Sequence, residues 1–140
     1  MDKETIRRLI SEAMRARTLS YSPYSSFSVG AALLAANGEI FNGCNIESVS
    51  FTPTSCAERT AFFKAVSQGV RSFTAIAVVG GGVGNAPEDY CAPCGVCRQI
   101  MAEFCVPGTF LIILAKSPEQ YIVKTLEELL PMSFGPERLQ

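Results

Sequence analysis

Histidine is absent from this 140-residue chain. That excludes Ser-His-Asp and Cys-His nucleophile systems, histidine metal sites of every kind and histidine general bases. Acid–base chemistry near neutral pH must then come from a tuned carboxylate, a lysine or a metal-bound water. An excess of charge of one sign is also missing: 12 lysines and arginines face 13 aspartates and glutamates. A surface that tracks nucleic-acid phosphates is normally basic, so no polynucleotide partner is expected. No apolar run reaches the ~18 residues of a membrane span, so no membrane partner is expected either. Residues 1–18 lack the apolar centre of a secretory signal. They hold Arg7, Arg8, Arg15 and Arg17, as a mitochondrial presequence does, but also Asp2, Glu4 and Glu12, which such presequences avoid. Internal repeats and a dividing linker are missing too. With 48% hydrophobic residues, the chain has enough apolar content for one core, and residues 1–140 are expected to form a single domain.

Cysteine, by contrast, is plentiful, at 6 residues. With no secretory signal, the expected compartment is the cytoplasm, where thiols stay reduced. Clustered cysteines in that setting point to metal binding or catalysis rather than disulfides.

Apolar periodicity predicts a first amphipathic helix through Ile6, Leu9, Ile10, Ala13 and Met14. Tyr21–Ser26 reads as a loop, Val29–Ala36 as a strand buried on both faces, and Asn37-Gly38 as a hairpin turn into a strand over Glu39–Cys44. Asn45–Ser55 is polar and aperiodic. A helix follows over Ala57–Gln68, with Gly69 as its natural stop. Thr74–Val79 reads as a third strand, and Gly80–Gly84 as a flexible loop. Pro93 suits a helix start, with Cys97, Ile100, Met101 and Phe104 on one face. Phe110–Leu114 and Tyr121–Thr125 are strands, and Leu126–Leu130 a short helix ended by Pro131. The order α-β-β-α-β-α-β-β-α implies one mixed sheet covered by helices, an α/β fold.

The chemistry concentrates in two segments. In Cys91-Ala92-Pro93-Cys94-Gly95-Val96-Cys97, Cys94 and Cys97 lie one turn apart at a helix start, where free N–H groups favour thiolate over thiol. An iron–sulfur reading of the three cysteines needs a fourth cysteine followed by proline, and Cys105-Val106-Pro107 lies too far away for that. The second segment is Cys56-Ala57-Glu58-Arg59. Alone it reads better as a capping box, Ser55-x-x-Glu58, with Cys56 a small buried residue. Together the segments offer three sulfur ligands from two helix starts, Cys56, Cys94 and Cys97. A catalytic zinc site keeps three protein ligands and one open position, with Glu58 adjacent. Cys-Ala-Glu followed by Pro-Cys-Gly-Val-Cys matches the zinc nucleobase deaminase signature in all-cysteine form. Three thiolates and Zn²⁺ sum to a negative charge that Arg59 would offset.

On these segments the sequence resembles the cytidine deaminases, the small free-nucleoside enzymes of pyrimidine salvage. The resemblance runs from the first helix to the Leu129-Leu130-Pro131 tail. It implies a three-layer fold, a five-stranded mixed sheet with helices on both faces. It also implies one Zn²⁺ per chain, with Glu58 as the catalytic proton shuttle, in hydrolytic deamination of cytidine and deoxycytidine. Gly43-Cys44-Asn45-Ile46-Glu47 resembles the ribose-binding segment, with Asn45 and Glu47 on the sugar hydroxyls. Tyr24-Ser25-Ser26-Phe27 resembles the base-packing loop, with Phe27 against the pyrimidine. The backbone near Ala57 is expected to bind O2 of the base, and carbonyls near Ala92 to face its amine. A homotetramer is implied, in which Phe134 reaches a neighbour's active site; the first helix and the Phe51 loop are expected to supply contact surface. Cys44, Cys91 and Cys105 are expected to be inert thiols. The chain departs from the family's usual pattern at Ser48-Val49 and at Phe51, where tyrosine is common.

Two other functions fit parts of the pattern. One is a deaminase of a cytosine-nucleoside antibiotic such as blasticidin S, against which Asn45-Ile46-Glu47 argues for an ordinary ribose. The other is a structural zinc module, which requires a fourth protein ligand, with Cys91 the candidate, and makes Glu58 dispensable.

Overall fold

A computed structural model describes residues 1–140. The elements are α1 (Lys3–Arg17), β1 (Phe27–Ala35), β2 (Ile40–Cys44), α2 (Ala57–Ser67), β3 (Phe73–Gly82), α3 (Gly95–Phe104), β4 (Leu111–Ser117), β5 (Gln120–Thr125) and α4 (Leu126–Leu129), with a 3₁₀ turn at Pro136–Arg138. This is the order expected from the sequence.

The strands form one sheet in the order β2-β1-β3-β4-β5. Only β3 and β4 run parallel, joined by the crossover through α3; the other neighbours are antiparallel. Alternation along the strands sorts side chains to two faces. Leu33, Ile76, Val78, Ile112 and Leu114 face α2 and α3, while Ala32, Ala75, Ala77, Val79 and Ile113 face α1. Helices therefore cover both faces, in three layers. Phe62 of α2 anchors the first face, with its ring 5.0 Å from that of Phe73 and 6.1 Å from that of Phe110. Truncating it to alanine is expected to cost about 3–5 kcal/mol.

The apolar side of α1, through Ile6, Leu9, Ile10 and Ala13, is buried against the sheet of its own chain. Its hydrophobic stripe is thus covered within the chain, which leaves its other faces for any contact with a second subunit.

Gly80–Gly82 are strand residues, not the flexible loop the composition suggested. They extend β3 and pair with Val29, Ser28 and Phe27 of β1. Ladder hydrogen bonds offset the conformational cost of glycine here, and side chains packed against the backbone leave little room for larger residues.

Gly43 sets the seating of α2. A β-carbon there would lie 2.6 Å from the Ala61 nitrogen. Glycine thus lets the first turns of α2 press on β2, which positions the start of α2 beside the end of the sheet.

Candidate metal and active site

α2 and α3 begin side by side. Cys56 is the N-cap of α2 and Cys94 the N-cap of α3, neither using its side chain to cap. Cys97 follows one turn into α3 and is buried, whereas Cys94 is exposed. The Cys56 and Cys94 sulfurs are 3.8 Å apart, those of Cys94 and Cys97 3.6 Å, and all three lie within 4.8 Å of one another. Zinc–sulfur bonds of about 2.3 Å at tetrahedral angles imply sulfur–sulfur distances of about 3.8 Å. The donor set therefore fits a zinc ion. Cys91 is not part of this group. The fourth protein ligand that a structural zinc module requires is thus not brought to the site.

Cys56 is held well below the ordinary thiol range, first by the Cys97 hydrogen bond and then by Arg59. Cys97, the other partner of that bond, is pushed well up. Arg59 approaches from α2, its Nη2 3.4 Å from the Cys56 sulfur and 3.2 Å from the Thr54 carbonyl. Those contacts hold the guanidinium against the Cys56 sulfur.

Glu58 is 4% exposed, on the second residue of α2. The capping-box reading is corrected here. Ser55 pairs through both backbone groups with Ile46, at 2.9 Å each, so the helix starts one residue later. Glu58 then occupies N2 rather than N3, and its carboxylate is left without a capping partner. Burial raises its pKa to about 7. A cavity of about 290 Å³ opens here, lined by Asn45, Glu47, Cys56, Ala57, Glu58 and Cys94 among others. Ala57 is fully buried at N1, where a helix N–H has no intrahelical partner.

The structure does not gather every expected substrate residue here. Phe27, 42% exposed, borders a neighbouring cavity instead. Phe134 lies outside both cavities. Its carbonyl accepts a 2.7 Å bond from Gln99 of α3. Asn45 does reach the cavity, but its amide is largely engaged within the chain. Its Oδ1 accepts from Val29 N and Ser20 Oγ, and its Nδ2 donates to the Phe27 carbonyl. One N–H remains for a ligand. Glu47 accepts from the Tyr24 and Ser25 backbone N–H groups at 3.0 and 3.1 Å, and from the Ser25 hydroxyl. The Ser25 side chain is the largest cause that keeps the Glu47 carboxyl below its usual range.

Residues 3–113 match the family model for the cytidine and deoxycytidylate deaminase zinc-binding region. The chain belongs to the cytidine and deoxycytidylate deaminase family. A cytidine deaminase of Sporosarcina psychrophila is 49% identical over 134 residues, covering 96% of this chain and 94% of that protein. One of Halalkalibacterium halodurans is 47% identical, covering 92% and 93%. The solved structure of a cytidine deaminase from Burkholderia pseudomallei matches with a TM-score of 0.82 at 43% identity, covering 91% of this chain and 97% of that one. Membership accounts for the zinc-type donor set and for the three-layer sheet.

Three residues have places that the sequence did not assign them. Cys91, expected to be an inert thiol or the fourth ligand of a structural zinc module, lines the cavity that also holds Glu58. Arg98 and Gln99, directly after Cys97, bind backbone carbonyls of the tail. Nothing in the local sequence reveals those long-range partners.

Proposed function

We propose that this protein is a zinc-dependent hydrolase that deaminates cytidine and deoxycytidine to uridine and deoxyuridine, releasing ammonia. One observation carries the reading: a buried carboxylate, Glu58, free of a capping role and raised to about 7, beside a three-sulfur set that fits zinc. Cys56, Cys94 and Cys97 are the ligands. Bound zinc supplies Lewis acidity that makes water a nucleophile near neutral pH. Glu58 takes one proton of the water that attacks C4 and delivers it to N3; it then takes the remaining proton of the C4 hydroxyl and passes it to the amine, so that C4=O forms as the C4–N bond breaks and ammonia leaves. A carboxylate serves as both base and acid only when its pKa lies near the working pH, and burial supplies that shift. The Ala57 N–H binds O2 of the base. Phe27 packs on the pyrimidine, and Asn45 and Glu47 hold the ribose hydroxyls. Arg59 offsets the thiolate charge.

Residues 1–140 act as one domain, in the cytoplasm, in pyrimidine salvage. The working form is a homotetramer in which Phe134 closes a neighbour's pocket. No helix is long and apolar enough to cross a membrane. The test is ammonia release from cytidine by zinc-loaded protein, with and without a chelator. Release that is lost on chelation and in Cys94→Ala supports the function. No release from the zinc-loaded protein overturns it.

A further inference from the structure

Glu58 and Phe27 line different cavities, and a single side chain borders both, that of Cys91. The Glu58 cavity measures about 290 Å³ and its neighbour about 350 Å³. A base held by Glu58 at one end and packed on Phe27 at the other must therefore pass Cys91. We propose that Cys91 is a specificity-determining residue of the deamination site: its side chain walls the C5–C6 edge of the pyrimidine, and its size sets what substituent the base can carry at C5. This inference rests on the cytidine reading above.

The chemistry of the base assigns the edge. Cytosine presents its amine, N3 and O2 as polar positions, and these need hydrogen-bonding partners when buried. Glu58 and the start of α2 supply such groups. The remaining edge carries only two C–H groups and needs an apolar wall. Cys91 is a free, half-buried thiol, and burial lifts its pKa to about 11, so it stays neutral. A neutral thiol behaves as a small apolar surface.

The wall is also backed. A β-carbon on Gly80 would lie 2.8 Å from the Cys91 sulfur, 2.9 Å from its β-carbon and 3.1 Å from Cε2 of Phe27. The β3 backbone thus packs directly against both side chains and blocks their movement toward it. Gly80 is a positioning residue in this arrangement: any side chain there pushes Cys91 forward, into the space the base needs. Discrimination then follows from volume. A methyl-sized difference in an apolar pocket changes substrate preference by about tenfold or more.

The experiment compares kcat/KM for 5-methylcytidine with that for cytidine, by ammonia release, in wild type and three variants. Cys91→Ala is expected to raise the ratio by about tenfold. Cys91→Val, which enlarges the wall, and Gly80→Ala, which advances it, are expected to lower the ratio. A structural role alone would change both substrates together and leave the ratio fixed. If Gly80→Ala does not fold, the opposed pair at Cys91 carries the test. A ratio in Cys91→Ala and Cys91→Val within twofold of wild type, with cytidine still turned over, overturns the proposal and leaves the deaminase reading standing. Failure of the wild type to act on cytidine overturns that reading, and this one with it.

Discussion

Arg98 reaches from α3 to the carbonyl of Leu129, 2.7 Å from its Nη1. Its Nε donates at 2.7 Å to the Pro93 carbonyl, one residue before Cys94. One guanidinium thus joins the turn that carries Cys94, one of the three clustered sulfurs, to the end of α4, where the tail toward Phe134 begins. Both bonds are charge-assisted and share a rigid planar donor, which lysine cannot reproduce. Arg98→Lys and Arg98→Ala are expected to speed zinc transfer to a chromogenic chelator by about tenfold, within the range found when groups supporting a metal site are removed. Proteolysis after Leu129 should quicken in the same variants. Unchanged rates in both assays would show that the two bonds hold nothing in place.

Glu58→Gln keeps the shape of the side chain and removes its ability to take a proton. Fold and zinc content are expected to persist, while turnover of cytidine falls by at least ~10²–10⁴, the contribution typical of general acid–base catalysis. Zinc content by atomic absorption and steady-state kinetics check this. Normal turnover would reduce Glu58 to a buried carboxylate without a catalytic role.

Much of this site was legible because its chemistry is local in sequence. Cys94 and Cys97 share one helical turn, and Cys56 stands next to Ala57 and Glu58, so the two short segments taken together proposed the ligands and the base. The continuous apolar run of Val29–Ala36 and the interleaving of helices with strands likewise announced a sheet covered on both faces. What escaped notice depends on partners distant in sequence. Gly80–Gly82 look like a loop until β1 pairs with them. Ser55 looks like a helix cap until Ile46 claims its backbone. Asn45 reads as a sugar contact, yet most of its amide holds Ser20, Phe27 and Val29 in place, so it also shapes the pocket it lines.

Glu47 gives a pH-dependent expectation. Its carboxylate is kept below the ordinary value of 4.5, chiefly by the Ser25 hydroxyl and also by the Ser25 and Tyr24 N–H groups. A carboxyl whose folded pKa is depressed stabilises the fold above its unfolded pKa, and that contribution is lost as pH falls through the folded value. Amide protection at Tyr24 and Ser25, read by hydrogen exchange, should therefore be full near neutrality and decline under acid conditions. In Glu47→Gln, protection should be lower at neutral pH and lack this acid step. An identical pH profile in the variant would assign the step to another group.

The last expectation concerns assembly. Phe134 is 57% exposed and Met132 wholly so, while Phe51 is 73% exposed at the rim near Glu47. Gln99 nevertheless fixes the backbone at Phe134, so the ring projects from an anchored tail rather than a frayed one. Covering such a ring with a partner surface is favourable, by about 25 cal/mol per Å² of apolar area removed from water. The Glu58 cavity receives no aromatic side chain from the tail of its own chain. A tail from a second copy would supply one, and closed two-fold assemblies are the common way for identical chains to exchange such contacts. Sedimentation equilibrium is expected to return about four times the 15.1 kDa chain mass. Phe134→Ala is expected to raise KM for cytidine more than it lowers kcat, because a ring supplied over the base by a second copy would not touch the proton path. A 15.1 kDa species that stays fully active on dilution would defeat the assembly. A tetramer whose KM is untouched by Phe134→Ala would retain the assembly but remove this ring from the pocket.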